Sequence, residues 1–230
     1  MRLVNLLKGF IAPKHCLICN KFIEDEVSLR FEYLCNECFD KLPLTPSTDL
    51  IFNQLLVNNN PLYLTKIVSL IALQENKEFI ELIHYVKYQS FKQLGFSFGV
   101  MLGKLLQNNN MTDYDYIVPV PIHSAKERER GFNQSDIISN SISSVLAIPV
   151  NNRLIKRKSY TQTQTMLSKE ERKTNVADVF APFNKNIELI NKKCLLIDDV
   201  LTTGSTINFA AKELLKCGAE RVDGATVARA

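Results

Sequence analysis

The stretch Cys194-Leu-Leu-Ile-Asp-Asp-Val-Leu-Thr-Thr-Gly-Ser-Thr206 constrains this chain more than any other. Its opening, Cys194 to Ile197, is apolar without a break, the pattern of a strand buried on both faces of a parallel sheet. Two adjacent carboxylates, Asp198 and Asp199, stand where that strand is expected to end. Thr202-Thr203-Gly204-Ser205-Thr206 then reads as a hydroxyl-rich turn, and Ile207, Ala210, Ala211 and Leu214 follow at helical spacing. Such a turn at a helix N-terminus presents backbone N–H groups and hydroxyls to an anion, and the helix dipole adds attraction. The two acids repel phosphate, so they suit something beside it: sugar hydroxyls or a magnesium ion. A sugar phosphate satisfies both halves. The plainer alternative, an ordinary strand–turn–helix with solvated aspartates, leaves two acids at a buried sheet edge without partners, which is costly.

The rest of the chain supplies the sheet that such a strand requires. Ile67 to Leu73 reads as a first strand, Glu75 to Lys87 and Phe91 to Leu106 as helices, and Tyr116 to Val120 as a strand checked by Pro119 and Pro121. A helix is expected over 134–146, with Asn133 as its cap, and a short extended piece from Val150. The last unit is strand 194–198, helix 205–217 ended by Gly218, and strand 221–228. Strands alternating with helices imply a doubly wound parallel sheet, with ligands at the strands' carboxyl ends. Residues 156–175, polar and without apolar period, read as a mobile loop.

Cys16-x-x-Cys19 and Cys35-x-x-Cys38 stand fifteen residues apart, the spacing of a four-cysteine zinc site. Two knuckles close a tetrahedron and leave no open position, so the zinc is expected to be structural, supplying folding energy to a segment poor in apolar residues. His15 as a substitute ligand and a redox dithiol are the other readings. Cys194 and Cys217 read as small core hydrophobes. The expected organisation is a zinc module over 1–48, including a small packing helix built on Leu3, Leu6, Leu7 and Phe10. A Pro- and Asn-rich linker over 49–66 and an α/β domain over 67–230 follow.

The chain of 230 residues is 46% hydrophobic and carries a net charge of +4. Between Lys126 and Lys173 there are ten Lys and Arg against five acids, so the remainder is slightly acidic. A local basic field suits a polyphosphate or a nucleic acid. The apolar residues of 1–12 are interrupted by Asn5 and Lys8, too short a run to span a bilayer and without a convincing signal-peptide cleavage site. No membrane span and a cytoplasmic location are expected.

The 194–206 stretch resembles the phosphoribosyl diphosphate (PRPP) motif of the type I phosphoribosyltransferases: an apolar strand, two acids and a Thr-Thr-Gly-x-Thr loop. In that family the loop, here Asp198, Asp199, Val200, Leu201, Thr202, Thr203, Gly204, Ser205 and Thr206, cradles the ribose 5-phosphate, and the acids hold the 2- and 3-hydroxyls. Three further features narrow the resemblance to the ComF/GntX family: Val118-Pro-Val-Pro121 with Arg130-Gly-Phe-Asn-Gln134, Thr161-Gln-Thr-Gln164 leading to Glu171-Arg172, and the four-cysteine module in front. The resemblance implies a type I phosphoribosyltransferase fold, a parallel sheet flanked by helices, with PRPP and magnesium as ligands. It places Pro119, Pro121, Lys126, Arg128 and Arg130 beside the diphosphate, where Arg can bind oxygens in pairs. Gln164 and Arg172 fall on the loop that closes over PRPP and excludes water.

The resemblance leaves the acceptor open. Purine-salvage relatives carry an Asp proton acceptor at the position held here by Thr202, and a threonine hydroxyl does not take a proton at neutral pH. Tyr85, Lys87 and Tyr88 are the only candidates for stacking on a base, and packing is the simpler role for them. Three functions therefore stand. The first is a magnesium-dependent, PRPP-binding phosphoribosyltransferase-like protein serving natural competence, the import of single-stranded DNA. The second is a non-catalytic module that binds single-stranded DNA or a DNA-translocating ATPase. The third, salvage of a nucleobase, is disfavoured by Thr202.

Overall fold

The computed structural model describes residues 15–23, 31, 33–45, 55, 59, 61–73, 77–86, 92–158 and 179–230. In chain order its elements are α1 (Asn36–Asp40), β1 (Ile67–Ala72), α2 (Lys77–Tyr85), α3 (Lys92–Asn108), β2 (Tyr116–Pro119), α4 (Ser124–Arg130) and α5 (Gln134–Leu146). There follow β3 (Ile155–Arg157), β4 (Phe180–Pro182), β5 (Lys193–Leu201), α6 (Ser205–Lys216) and β6 (Arg221–Arg229). The main sheet has the order β1-β6-β5-β2 with every pairing parallel. A parallel bridge from Ile117 to Val150 adds a short fifth position beyond β2.

A strand covered on both faces needs apolar residues at every position, and β5 shows why. Leu195 and Ile197 enter the core shared with Phe98 and Leu102 of α3 and Ile138 and Ile142 of α5. Cys194 and Leu196 enter the opposite core, with Ile207, Ala210 and Leu214 of α6. The 194–197 run is therefore a central strand because both of its faces are occupied. Helices α3 and α5 approach closely at Gly99, where a Cβ would lie 2.5 Å from that of Ser141.

The four-cysteine segment does not stand apart. Phe31, Leu34, Cys38 and Leu42 belong to the same core as Leu82, Leu94 and Phe98, and the Phe31 and Phe98 rings lie 5.0 Å apart. Thr45 N–H donates to Leu70 O and Ala72 N–H to Pro43 O, so the segment also covers the outer edge of β1. Poor in apolar residues for a core of its own, it borrows that of the sheet.

The structure departs from the sequence expectations at several points. Strand β5 runs on to Leu201, past both acids, because Val200 and Leu201 pair with Ala228 and Arg229 of β6. A helix the sequence pattern did not announce, α4, occupies 124–130, since its residues have no apolar face to reveal it. The expected loop 156–175 begins later: residues 155–157 form β3, antiparallel to β4. Leu55, Asn59 and 61–66 of the expected linker include residues buried against the main domain, Leu55, Asn59 and Leu64 among them. The N-terminal packing helix, Lys87, Tyr88, Gln164 and Arg172 lie outside the described residues. Among the described residues, no helix is long and apolar enough to cross a membrane.

Candidate ligand and metal sites

The β5–α6 turn is built by one change of backbone conformation. Gly204 takes φ 77° and caps α6, and the chain enters the helix at Ser205. A side chain at this position meets two obstacles: the left-handed conformation itself, and Leu55, whose Cδ2 would lie 1.9 Å from a Cβ. Thr202, Thr203 and Thr206 are exposed around the turn, and Thr203 Oγ1 and Ser205 Oγ are 3.0 Å apart. The first N–H groups of a helix have no backbone partner within it; that of Ser205 lies 3.4 Å from Thr203 Oγ1, and the exposed threonine hydroxyls stand at the positive end of α6.

Asp198 and Asp199 lie half-buried near the end of β5, with Val200 and Leu201 between them and that turn. Asp198 Oδ1 accepts from the Asp199 N–H at 3.0 Å and from Ser135 Oγ at 3.3 Å, while Asp199 Oδ1 accepts from the Val200 N–H at 2.7 Å. Desolvation and then the neighbouring Asp199 push the Asp198 carboxyl up to about 7, although the Asp199 N–H, Ser135 and the charge of Arg157 oppose the shift. Ser135 was not singled out by the sequence. It reaches Asp198 because Asn133 fixes the start of α5: its Oδ1 accepts from the Ser135 N–H and its Nδ2 donates to Val120 O, one residue past β2. The Asn133 cap expected from the sequence is thus present.

Pro119 and Pro121 line a cleft of about 390 Å³ that opens beside this region. Its far wall is basic, carrying Arg153, Lys156 and Arg157 around β3, and its near wall carries Glu127 and Asp136. Burial and then Glu127 push the Asp136 carboxyl up to about 6. Lys126 and Arg128 are exposed on α4 and are not among the lining residues, and Arg130 Nη1 donates to Gln134 Oε1 at 3.2 Å. Of α4, Ser124 and Glu127 line the cleft. The cations that border the cleft come instead from the β3 segment. Tyr85 packs against the core.

The four thiols of Cys16, Cys19, Cys35 and Cys38 lie within 4.8 Å of one another, and those of Cys19 and Cys35 are 3.7 Å apart. Sulfurs at tetrahedral corners about 2.3 Å from a zinc ion stand roughly 3.8 Å apart, so the set is compatible with that metal. His15 is directed to Phe22, with ring centroids 5.9 Å apart. Cys194 is buried in β5, which pushes its thiol up to about 12 and leaves it an inert core group.

Residues 134–230 match the family model described as a phosphoribosyl transferase domain. Competence protein F of Haemophilus influenzae is 39% identical over 114 residues, covering 50% of each chain. The DNA utilization protein YhgH of Escherichia coli is 31% identical over 145 residues, 61% of this chain and 63% of that protein. Competence protein ComFC of Bacillus subtilis is 34% identical over 102 residues, 44% of this chain and 39% of that one. The matches thus span under two thirds of these relatives' own lengths.

Proposed function

From the premise that the chain is a homologue of competence and DNA-utilization proteins and carries a phosphoribosyl transferase domain, we propose that it binds PRPP at the 198–206 turn and serves DNA uptake. One observation supports the ligand: the acid pair lies in the last residues of a central parallel strand, which leads through the exposed threonines 202 and 203 into the N-terminus of α6. Asp198 and Asp199 accept from the ribose 2- and 3-hydroxyls. The 5-phosphate receives N–H groups of Gly204, Ser205 and Thr206, and the hydroxyls of Thr202, Thr203 and Thr206. The diphosphate, with magnesium to neutralise it, extends toward the Pro119–Pro121 rim and the basic wall of Arg153, Lys156 and Arg157. Zinc in the four-cysteine cluster holds the N-terminal segment on the main core. The proposed location is the cytoplasm, where PRPP, reduced thiols and incoming single strands are together.

Within this reading the protein's own groups bind and orient. Magnesium, when bound, supplies charge neutralisation at the diphosphate. Thr202 is exposed and offers no base to deprotonate a purine, so salvage of hypoxanthine or guanine is not the activity proposed. Incubation with PRPP and magnesium, with and without nucleobases or single-stranded DNA, separates the outcomes. Diphosphate release identifies a transferase, and binding without release identifies a PRPP-responsive module.

The second reading, a single-stranded-DNA or ATPase-partner module, is favoured by one further observation. Phe183 is 42% exposed at the cleft, with Lys156 Nζ 6.0 Å from its ring centroid. An open aromatic ring beside cations is a surface on which a base stacks and a backbone phosphate is neutralised. Loss of strand binding in a Phe183→Ala variant that keeps its PRPP affinity would assign the strand to this wall.

A further inference from the structure

Leu55, Asn59, Pro61 and Tyr63, from a stretch whose Asn-Asn-Asn-Pro composition reads as linker, meet the β5–α6 turn and the start of α6 at three places. Asn59 is 7% exposed, and its Nδ2 donates to Thr203 O at 2.8 Å and to Leu55 O at 3.2 Å. Leu55 fills the space where a Gly204 side chain would stand. Asn208, on the first turns of α6, accepts from the Tyr63 N–H at 2.7 Å and donates from Nδ2 to Pro61 O at 3.1 Å. Two buried amides, Asn59 and Asn208, thus join Leu55, Pro61 and Tyr63 to the turn and to α6.

A buried amide with satisfied donors is costly to misplace, which makes Asn59 a directional device. By holding the Thr203 carbonyl inward, it fixes the peptide plane that precedes Gly204. Because the peptide is planar and trans, the Gly204 N–H then points away from Asn59, and the next amide, of Ser205, lies 3.4 Å from Thr203 Oγ1. A turn with exposed threonines and a glycine would otherwise sample many conformations, and ordering it on binding would weaken affinity.

We propose that Asn59 is a positioning residue: through the Thr203 carbonyl it preorganises the 202–206 turn to receive an anionic group, and Asn59 with Leu55 is part of that site. The proposal deepens the phosphate-binding reading above and rests on it for the identity of the ligand. It extends the site to a stretch of chain that precedes the sheet and lies more than 140 residues away in sequence.

The test uses the full chain and two readings. Asn59→Asp keeps the shape and removes both donated hydrogen bonds; Asn59→Ala removes them without placing a carboxylate against two carbonyls and serves if the first variant does not fold. Hydrogen exchange on ligand-free protein is expected to rise roughly tenfold at residues 204–206, with β5 and β6 unchanged, and PRPP affinity in magnesium is expected to fall about tenfold. A folded variant whose turn exchanges as in the wild type and whose PRPP affinity is unchanged would overturn the proposal. If the wild type does not bind PRPP, the ligand assignment fails, and the exchange measurement, which needs no ligand, still decides whether Asn59 orders the turn. A variant that loosens every amide equally would contradict a positioning role.

Discussion

Ser135 Oγ donates to Asp198 Oδ1 at 3.3 Å and joins the start of α5 to the acid pair at the end of β5. The bond is to the charged form of a carboxyl that desolvation pushes up to about 7, against an ordinary value of 3.8. Ribose hydroxyls need an acceptor carboxylate, so the proton must leave before they bind. PRPP affinity is therefore expected to weaken as pH falls through about 7, by up to roughly tenfold per unit. Ser135→Ala moves the inflection upward, and Asp198→Asn removes it, leaving any residual dependence near 6 to Asp136. Stability runs the other way. The folded state holds this proton more tightly than the unfolded chain, so between about pH 4 and pH 7 the group subtracts stability as pH rises. Calorimetric titrations from pH 8 to pH 5.5 with both variants check the signs; a flat affinity profile in the wild type contradicts them.

Gly204 carries both a left-handed φ of 77° and the contact with Leu55. Gly204→Ala is expected to cost about 1–3 kcal/mol of stability and to weaken PRPP binding further than that loss alone explains, since the turn must move off Leu55. Thermal melts and calorimetry on the same preparation separate the two effects.

The 5.0 Å contact between Phe31 and Phe98 ties the cysteine segment to α3. Chelation is therefore expected to lower the main unfolding transition of the whole chain, by about 2–4 °C for each kcal/mol lost, in addition to releasing about one zinc per chain. Elemental analysis and melting curves before and after chelation test this. A metal-free protein with an unchanged main transition would show that the cluster contributes nothing to the fold.

Arg153, Lys156 and Arg157 form the basic wall of the cleft. Replacing all three by Gln is expected to weaken PRPP more than ribose 5-phosphate, because the proposed arrangement sets the diphosphate against them and the 5-phosphate at the 202–206 turn. If a single strand uses the same wall, the variant also flattens the salt dependence of strand binding, and PRPP competes with the strand. Neutralising Lys126 and Arg128 together should leave the PRPP affinity within about twofold of the wild type, as expected of exposed charges outside the cleft.

The parallel sheet was legible in the sequence because its central strands are apolar at consecutive positions, as Cys194 to Ile197 show. The metal cluster was legible because its ligands pair locally, two residues apart. The acids and the glycine turn were legible for the same reason: one contiguous stretch carries them. What escaped was long-range. Ser135 has no local signal, since its partner Asp198 is 63 positions away. Asn59 lies among asparagines and a proline, a composition that denotes turns, yet tertiary burial gave it a structural role. The cations of the 126–130 stretch were visible beside the Val-Pro-Val-Pro segment, whereas Arg153, Lys156 and Arg157, which line the cleft, reach it through β3, whose pairing with β4 joins residues more than twenty positions apart.

The central claim is that Asp198 and Asp199 hold the ribose of PRPP while the turn after them holds its phosphate. Isothermal titration of PRPP with magnesium into the wild type and into the Asp198→Ala, Asp199→Ala double variant tests it most directly. Each charge-assisted hydrogen bond lost costs roughly 1.5–3 kcal/mol, so the double variant is expected to bind at least about a hundredfold more weakly while melting as a folded protein. An unchanged dissociation constant in the folded double variant would contradict the account.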